Sequence, residues 1–162
     1  MTHPPHRPLL SDLLRVIGIG QTQEYEGLRL SLLALEVYAD GCILTALLQR
    51  TQPVQAPDDE DYQRRFPILG QVAVTMTDDC GGEYTGAMAE RGSSSQPGFW
   101  KGRGQFPCTP TLDPAAQELR IEIPTVTWQY MEEIEQGEMR YVPGETIYGP
   151  WSFTIQIPAA EP

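Results

Sequence analysis

Apolar and polar residues alternate with a period of two through most of the chain, and turn residues separate the alternating stretches. This period is typical of half-buried antiparallel strands, because successive side chains of a strand point to opposite faces. Between seven and nine such stretches occur in the sequence. No stretch of about 10–15 residues with a helical period separates them, so the pattern predicts an all-β fold and disfavours a parallel α/β sheet.

The clearest predicted hairpin runs from Leu28 to Arg50, with Asp40-Gly41 as its two-residue turn. Asp and Gly tolerate the positive φ angles of a type I′ turn, and this turn predicts that Val37 lies opposite Leu44. The adjacent leucines Leu32-Leu33 shift the alternation by one residue. Such a shift predicts a β-bulge, or a strand that passes from one sheet to another.

Later segments of the chain predict a meander and a less regular region. The three strands of the meander are predicted at residues 72–79, 83–90 and 99–106. A flexible loop is predicted at residues 92–98, where Gly and Ser dominate. Residues 131–150 are predicted to be irregular, with a projecting hairpin around Pro143-Gly144 as a type II turn pair.

Short strands at this spacing, each with one apolar face, close into a sandwich or a barrel. We predict an immunoglobulin-like antiparallel two-sheet β-sandwich of seven to nine strands over residues 13–158. A disordered N-terminal tail is predicted over residues 1–12, which are rich in proline. The length of 162 residues suits one domain.

Composition and charge narrow the class of protein further. The chain has 22 acidic and 11 basic side chains, a formal charge of −11. Because this charge repels phosphate backbones and anionic lipids, no nucleic-acid or membrane partner is predicted. The 15 glycines and 15 prolines would interrupt long helices. No export signal or 18-residue apolar run is visible, which predicts a cytoplasmic protein.

The side chains that usually perform catalysis are scarce. His3 and His6 both lie in the predicted tail, so a serine or cysteine nucleophile would have no ordered histidine as its base. The run Asp58-Asp59-Glu60-Asp61 lacks the alternating ligand spacing and the glycine of a calcium loop, which favours a solvated acidic loop. The glutamates between residues 132 and 138 are interpreted in the same way. No enzyme activity, metal or cofactor is predicted.

Three widely spaced cysteines match neither a metal motif nor a dense disulfide framework. The predicted meander places Cys80 and Cys108 at the same end of the sandwich, which makes them a candidate disulfide. A reducing cytosol would oppose this bond, and two reduced thiols are the alternative. Cys42, on the apolar face of the first hairpin, is predicted to be a small core residue.

Aromatic residues provide the candidate contact surface. Trp128 and Trp151 are in phase with apolar neighbours, which favours packing in the core over a platform for sugar rings. Phe99 and Trp100 are adjacent on a predicted strand and so point to opposite faces. One of these two rings is predicted to be exposed and to mark a contact surface.

Strand and turn segments recur in a characteristic order. They are Gly27–Leu30, Glu36–Gly41, Val74–Asp79, Gly81–Tyr84, Glu118–Pro124 and Gly149–Ile155. In this order the chain resembles small bacterial immunoglobulin-like β-sandwich domains of unassigned function, over most of residues 14–158. It is more distantly similar to the extracytoplasmic sandwich domain of some membrane-anchored anti-sigma factors. The resemblance implies a sandwich fold and brings no catalytic motif.

Two hypotheses about function follow, from different classes. The first is a non-catalytic interaction module that presents loops or an edge strand to an unidentified protein or to a second copy of itself. The alternative is a module that binds carbohydrate or another small polar ligand through an exposed aromatic ring and neighbouring acids, with calcium as an aid. A hydrolase would require two carboxylates that converge in a pocket, and the sequence singles out no such pair.

Overall fold

The structure, a computed structural model, describes residues 10–50, 65–96, 99–135 and 137–159. Within these ranges the chain forms antiparallel strands and no helix, which confirms the all-β prediction. The strands are β1 (Leu13–Tyr25), β2 (Leu28–Tyr38), β3 (Gly41–Arg50), β4 (Arg65–Leu69), β5 (Ala73–Asp78), β6 (Glu83–Ala87), β7 (Glu90–Gln96), β8 (Phe99–Thr109), β9 (Glu118–Glu135) and β10 (Glu138–Gln156). The described chain therefore contains no helix long and apolar enough to cross a membrane.

All of these strands belong to one sheet. The main order is β1-β2-β3-β8-β6-β5-β9-β10, while β4 pairs with β9 and β7 pairs with β8. The two end strands meet through side chains: Gln21 Nε2 donates to Thr154 O at 3.1 Å, and Ser152 N donates to Gln23 Oε1 at 3.1 Å. The sheet is therefore nearly closed and barrel-like.

The strand pairing does not give the two separate sheets that the sequence predicts. Residues 118–135, which the alternation divides into separate short strands at Pro124, form the single strand β9, paired with β10 along almost its whole length. Register shifts after Pro143 and after Tyr148 let β10 bend without ending. Long bent strands therefore continue a single hydrogen-bonded sheet around the molecule. The sequence predicts two sheets and fewer strands.

The β2–β3 hairpin has the predicted bounds but a shifted register. Tyr38 pairs with Gly41 and Val37 with Cys42, so the turn is Ala39-Asp40, one residue earlier than predicted. The Asp40 carboxylate accepts hydrogen bonds from the backbone N–H groups of Leu10 and Ser11, which ties the end of the predicted tail to this turn. The predicted bulge is confirmed, since the β2–β3 register shifts between Leu32 and Ala34.

Two segments that were predicted to be irregular are regular strands. Residues 90–96 form β7, which pairs with the first half of β8, where a flexible loop was predicted. Residues 131–150 continue β9 and β10, and the chain reverses at Gly137, whose φ of 87° favours glycine, not at Pro143-Gly144.

Glu132 lies opposite Arg140 in this hairpin, and its carboxylate accepts a hydrogen bond from Arg140 Nη2 at 3.1 Å. This cross-strand pair explains why an acid-rich stretch stays in the ladder.

Inward-facing side chains fill the space that the sheet encloses. Alternate residues of β2, β5 and β9 point inward, and the predicted core residues Trp128 and Trp151 are both buried. The largest fully buried side chains are Trp128, Trp151, Tyr84, Phe106, Phe153, Leu28, Leu30, Leu32, Leu35, Leu44, Leu48 and Leu69. This alternation decides which side chains remain on the outer face for contact with a ligand.

Candidate functional site

A groove on the outer face of the sheet combines basic and polar side chains. It arises because Leu28, Leu30 and Leu48 point into the core and are fully buried, so their neighbours Arg29 and Gln49 point outward. The lining consists of Thr22, Arg29, Ser31, Leu47, Leu48, Gln49 and Lys101. Its cavity volume is about 420 Å³, within the range of about 300–1,000 Å³ that is usual for small-molecule sites.

Strand register brings the polar groups of the groove into two rows. In the first row, Arg29 on β2 pairs with Gln49 on β3, and Gln49 pairs with Lys101 on β8. Neighbouring strands lie about 4.8 Å apart, so this row holds two cationic groups on strands roughly 10 Å apart, with an amide between them. In the second row, Leu47 on β3 pairs with the exposed Arg103 on β8.

The electrostatics of the groove contrast with those of the whole chain. Lys101 is the only lysine in the sequence, and the formal charge of the chain is −11. Lys101 and Arg103 lie on β8 and Arg29 lies on β2, with β3 between these two strands. Arg29 Nη2 lies 3.2 Å from Glu24 Oε2, with both side chains about half exposed, so this ion pair is weak. The lining of the groove therefore contains two cationic side chains, of which Arg29 is paired with Glu24.

Two hydroxyls complete the lining at the β1 side of the groove. Thr22 Oγ1 and Ser31 Oγ are 2.7 Å apart, and the two residues pair directly across β1 and β2. A hydroxyl can both donate and accept, so this pair can rearrange to bind a polar group of a ligand. Cations, an amide and hydroxyls around one apolar side chain, Leu47, suit a small anion that also carries hydroxyl groups.

A second polar location lies inside the sheet, at the end of β3. Arg50 is 7% exposed, and its guanidinium carbon lies 5.2 Å from the ring centroid of Trp128. This distance is that of a cation–π contact, which holds a charged side chain against the core. This contact could not be predicted from the sequence, because a charged residue is rarely buried and Arg50 occupies an inward position of β3.

The turn between β5 and β6 gathers Asp78, Asp79 and Cys80, whose possible ligand atoms all lie within 4.8 Å of one another. The oxygens of Asp78 already accept hydrogen bonds: Oδ1 from the N–H groups of Cys80 at 2.8 Å and Gly82 at 2.7 Å, and Oδ2 from Tyr84 Oη at 2.6 Å. Asp79 Oδ1 accepts from Gln117 N at 2.9 Å. These hydrogen bonds stabilise the β5–β6 turn and connect it to Gln117, just before β9. They account for the clustering of the two carboxylates without a metal.

These hydrogen bonds lower the pKa of both carboxyl groups. Burial acts to raise the pKa of Asp78, but the hydrogen bonds from Tyr84, Gly82 and Cys80 outweigh it and leave the pKa lowered. The backbone hydrogen bond from Gln117 is the main cause of the lowered pKa of Asp79. Burial, followed by the hydrogen bond to Asp78, raises the pKa of Tyr84 to about 12. Both carboxylates are therefore charged at neutral pH.

The cysteines of the candidate disulfide are free thiols that lie at different depths. Cys80 is exposed in the β5–β6 turn, whereas Cys108 is buried on β8. Cys108 pairs with Gly86, three residues along β6 from Glu83, so it lies about 10 Å along the strand from the end that follows the Cys80 turn. A disulfide requires Cα atoms within about 7 Å. The structure does not bring this pair together, whereas Cys42 is a buried core residue as predicted.

The remaining predicted site residues are only partly described. Phe99 and Trp100 begin β8, and their side chains, like the predicted contact surface, lie outside the described residues. Lys101 follows them and lines the groove. His3, His6 and the acidic run at residues 58–61 lie outside the described residues as well.

Comparisons with known proteins add little to this picture. No family model matches the chain. No curated protein matches it either. Among solved structures, the chain is similar to the conserved domain protein from Bacillus anthracis, with 15% sequence identity and a TM-score of 0.47. The match covers 89% of this chain and 49% of that chain, so this chain spans about half the length of the solved protein.

Proposed function

We propose that this protein is a non-catalytic binding module and that its groove binds a small anionic ligand that also carries hydroxyl groups, such as a phosphorylated or carboxylated sugar. This proposal keeps the ligand class of the small-ligand alternative from the sequence, but it replaces the exposed aromatic ring and neighbouring acids of that alternative with basic and polar side chains. The observation that supports it is the placement of Arg29, Gln49 and Lys101 side by side across three strands. Calcium has no role in it, because the groove lining contains no carboxylate.

Charge and shape both favour this class of ligand. Arg and Lys donors form charge-assisted hydrogen bonds to phosphate or carboxylate oxygens, and these bonds contribute about 1.5–3 kcal/mol each. The hydroxyls of Thr22 and Ser31 would bind ligand hydroxyls, and Leu47 would contact the ring of a sugar. The groove depends on the pairing of β1, β2, β3 and β8 and not on whether the whole sheet packs as an immunoglobulin-like sandwich.

The test measures binding of probe ligands by isothermal titration calorimetry. Glucose 6-phosphate, glucuronate and inorganic phosphate are compared with neutral glucose, which separates recognition of charge from recognition of the sugar. Lys101→Gln is expected to weaken binding of the anionic sugars by about tenfold or more, since one charge-assisted hydrogen bond is lost. Arg120→Gln is the matched control, because Arg120 is an exposed side chain on β9, away from the groove. Equal binding by both variants, or no binding of any probe, would refute the proposal.

A second candidate, the interaction module, rests on a different surface. Leu13, Leu14 and Val16 on β1 are 53%, 63% and 57% exposed. Adjacent exposed apolar side chains are typical of contact surfaces, and self-association would bury them. Sedimentation of the native chain is expected to show a dimer that Leu14→Ser with Val16→Thr converts to a monomer. A wild-type monomer at every concentration would contradict self-association and leave the groove proposal unaffected.

A further inference from the structure

Two buried cysteines lie directly opposite each other on neighbouring strands. Cys42 on β3 pairs with Cys108 on β8, within an unbroken register from Cys42 to Gln49. Residues directly opposite in an antiparallel pair share one face of the sheet, so both side chains point into the core. Their side chains are 0% exposed.

The distance between opposite positions suits a covalent bond between these residues. Directly opposite residues have Cβ atoms about 4.5–5.5 Å apart, and a disulfide joins Cβ atoms about 3.5–4.5 Å apart. The two ranges meet, so a small approach of β3 and β8 is sufficient. A Cβ atom added to Gly86 would lie 2.7 Å from Cys108 Sγ, so the thiol lies close to Gly86 on the neighbouring strand β6. Formation of the bond therefore also requires the Cys108 side chain to rotate toward Cys42.

We propose that Cys42 and Cys108 form a cross-strand disulfide when the chain folds in the presence of a disulfide oxidant such as glutathione disulfide. In the first step one cysteine thiolate attacks glutathione disulfide, which gives a mixed disulfide and releases one glutathione thiol. In the second step the other cysteine displaces the bound glutathione as a second thiol. Two cysteine thiols are oxidised to one disulfide, and one glutathione disulfide is reduced to two thiols.

Burial decides when this reaction takes place. The buried environment, with a further contribution from Cys42, raises the pKa of Cys108 to about 12, and burial also raises the pKa of Cys42. Because the attacking species is the thiolate, folded protein reacts slowly at neutral pH. The bond therefore forms while β3 and β8 are still assembling. Once formed, it closes a long loop that contains β4 to β7 and so constrains the unfolded chain.

The test uses the variant Cys80→Ser, which keeps only the two buried cysteines. The reduced, denatured variant is refolded in a glutathione redox buffer and digested with trypsin without reduction. The expected product is the peptide Leu30–Arg50 linked to Gly104–Arg120, since these peptides carry Cys42 and Cys108. The melting temperature is expected to fall by several degrees when a reductant is added. The matched control, Cys42→Ser with Cys80→Ser, is expected to show no linked peptide and no such fall.

Two results would overturn the proposal. One is a refolded Cys80→Ser variant that melts cooperatively but retains two free thiols. The other is a linked peptide in the wild-type protein that joins Cys80 to Cys108, which would return the pairing to the one predicted from the sequence. If Cys80→Ser does not refold, the peptide map of refolded wild-type protein decides between the two pairings.

Discussion

At the scale of single residues, the β5–β6 turn shows how a few hydrogen bonds make stability depend on pH. Asp78 and Asp79 accept hydrogen bonds from backbone N–H groups and from Tyr84, and their pKa values are lowered in the folded state. Unfolded Asp has a pKa of about 3.9, so the unfolded chain binds more protons in this range. The stabilisation that the two charged carboxylates contribute is fully present above the unfolded pKa. It is lost as the pH falls through the lower pKa values of the folded state.

Asp79→Asn isolates this contribution. The Asn oxygen can still accept the hydrogen bond from Gln117 N, so the change removes mainly the charge. We expect the free energy of unfolding of the variant to fall less steeply than that of the wild type as the pH is lowered below about 4. Urea unfolding at several pH values measures this slope. An unchanged slope in Asp79→Asn would mean that the Asp79 carboxylate does not contribute to the pH dependence.

At the scale of strands, side chains of β1 hydrogen-bond to the backbone of β10 and so close the sheet, where neighbouring strands of a sheet would use backbone hydrogen bonds. Gln23 Nε2 donates to Ser152 O at 2.5 Å, and Ser152 N donates to Gln23 Oε1, so one amide makes the two bonds that a neighbouring strand would make. Gln21 bonds to Thr154 O in the same way, two residues along. The two edges of the sheet are thereby covered near Ser152 and Thr154, which protects this part of each edge from pairing with other chains.

Gln23→Ala should open this closure locally. Loss of two hydrogen bonds is expected to lower the free energy of unfolding by about 1–3 kcal/mol, at about 0.5–1.5 kcal/mol for each bond. The amide of Ser152 should also exchange faster with solvent, which hydrogen-exchange mass spectrometry measures. Thr22→Ala is the control, because Thr22 lies on the same strand but bonds to Ser31. Faster exchange at Ser152 in the control would show that the effect is not specific to the closure.

The elements also show which features could be predicted from the sequence. Alternation of apolar residues predicts the bounds of β2 and β3 and the bulge after Leu32, because both are local. The turn lies one residue earlier than the alternation predicts. In this turn Asp40 accepts hydrogen bonds from the amides of Leu10 and Ser11, a distant contact of which the sequence gives no sign. Local patterns thus determine the strands, whereas tertiary contacts determine the register.

The candidate site could not be predicted for the same reason. The groove requires Lys101 on β8 to lie beside Gln49 on β3, and these residues are far apart in the sequence. The partner of Cys108 depends on the same strand pairing, which is why Cys80 was predicted in place of Cys42. A periodic pattern indicates which face a side chain occupies but not which distant strand lies next to it.

At the scale of the whole molecule, net charge competes with individual ion pairs. The chain carries a formal charge of −11, and its isoelectric point is about 4.5. Ion pairs such as Arg29 with Glu24 and Arg120 with Glu122 are exposed, and pairs of this kind contribute about 0–1 kcal/mol each. Repulsion summed over the excess of acidic groups acts on every part of the folded chain. The repulsion should therefore outweigh the exposed pairs at neutral pH.

This balance predicts that salt stabilises the protein. Raising NaCl from about 0.01 M to about 0.15 M shortens the screening length from about 30 Å to about 8 Å, which weakens repulsion between distant acids more than attraction within close pairs. The melting temperature at pH 7 should therefore rise, by about 2–4 °C for each kcal/mol gained. Near pH 4.5 the net charge vanishes, so the rise should be small or absent there. A melting temperature that falls with salt at pH 7 would mean that the ion pairs dominate.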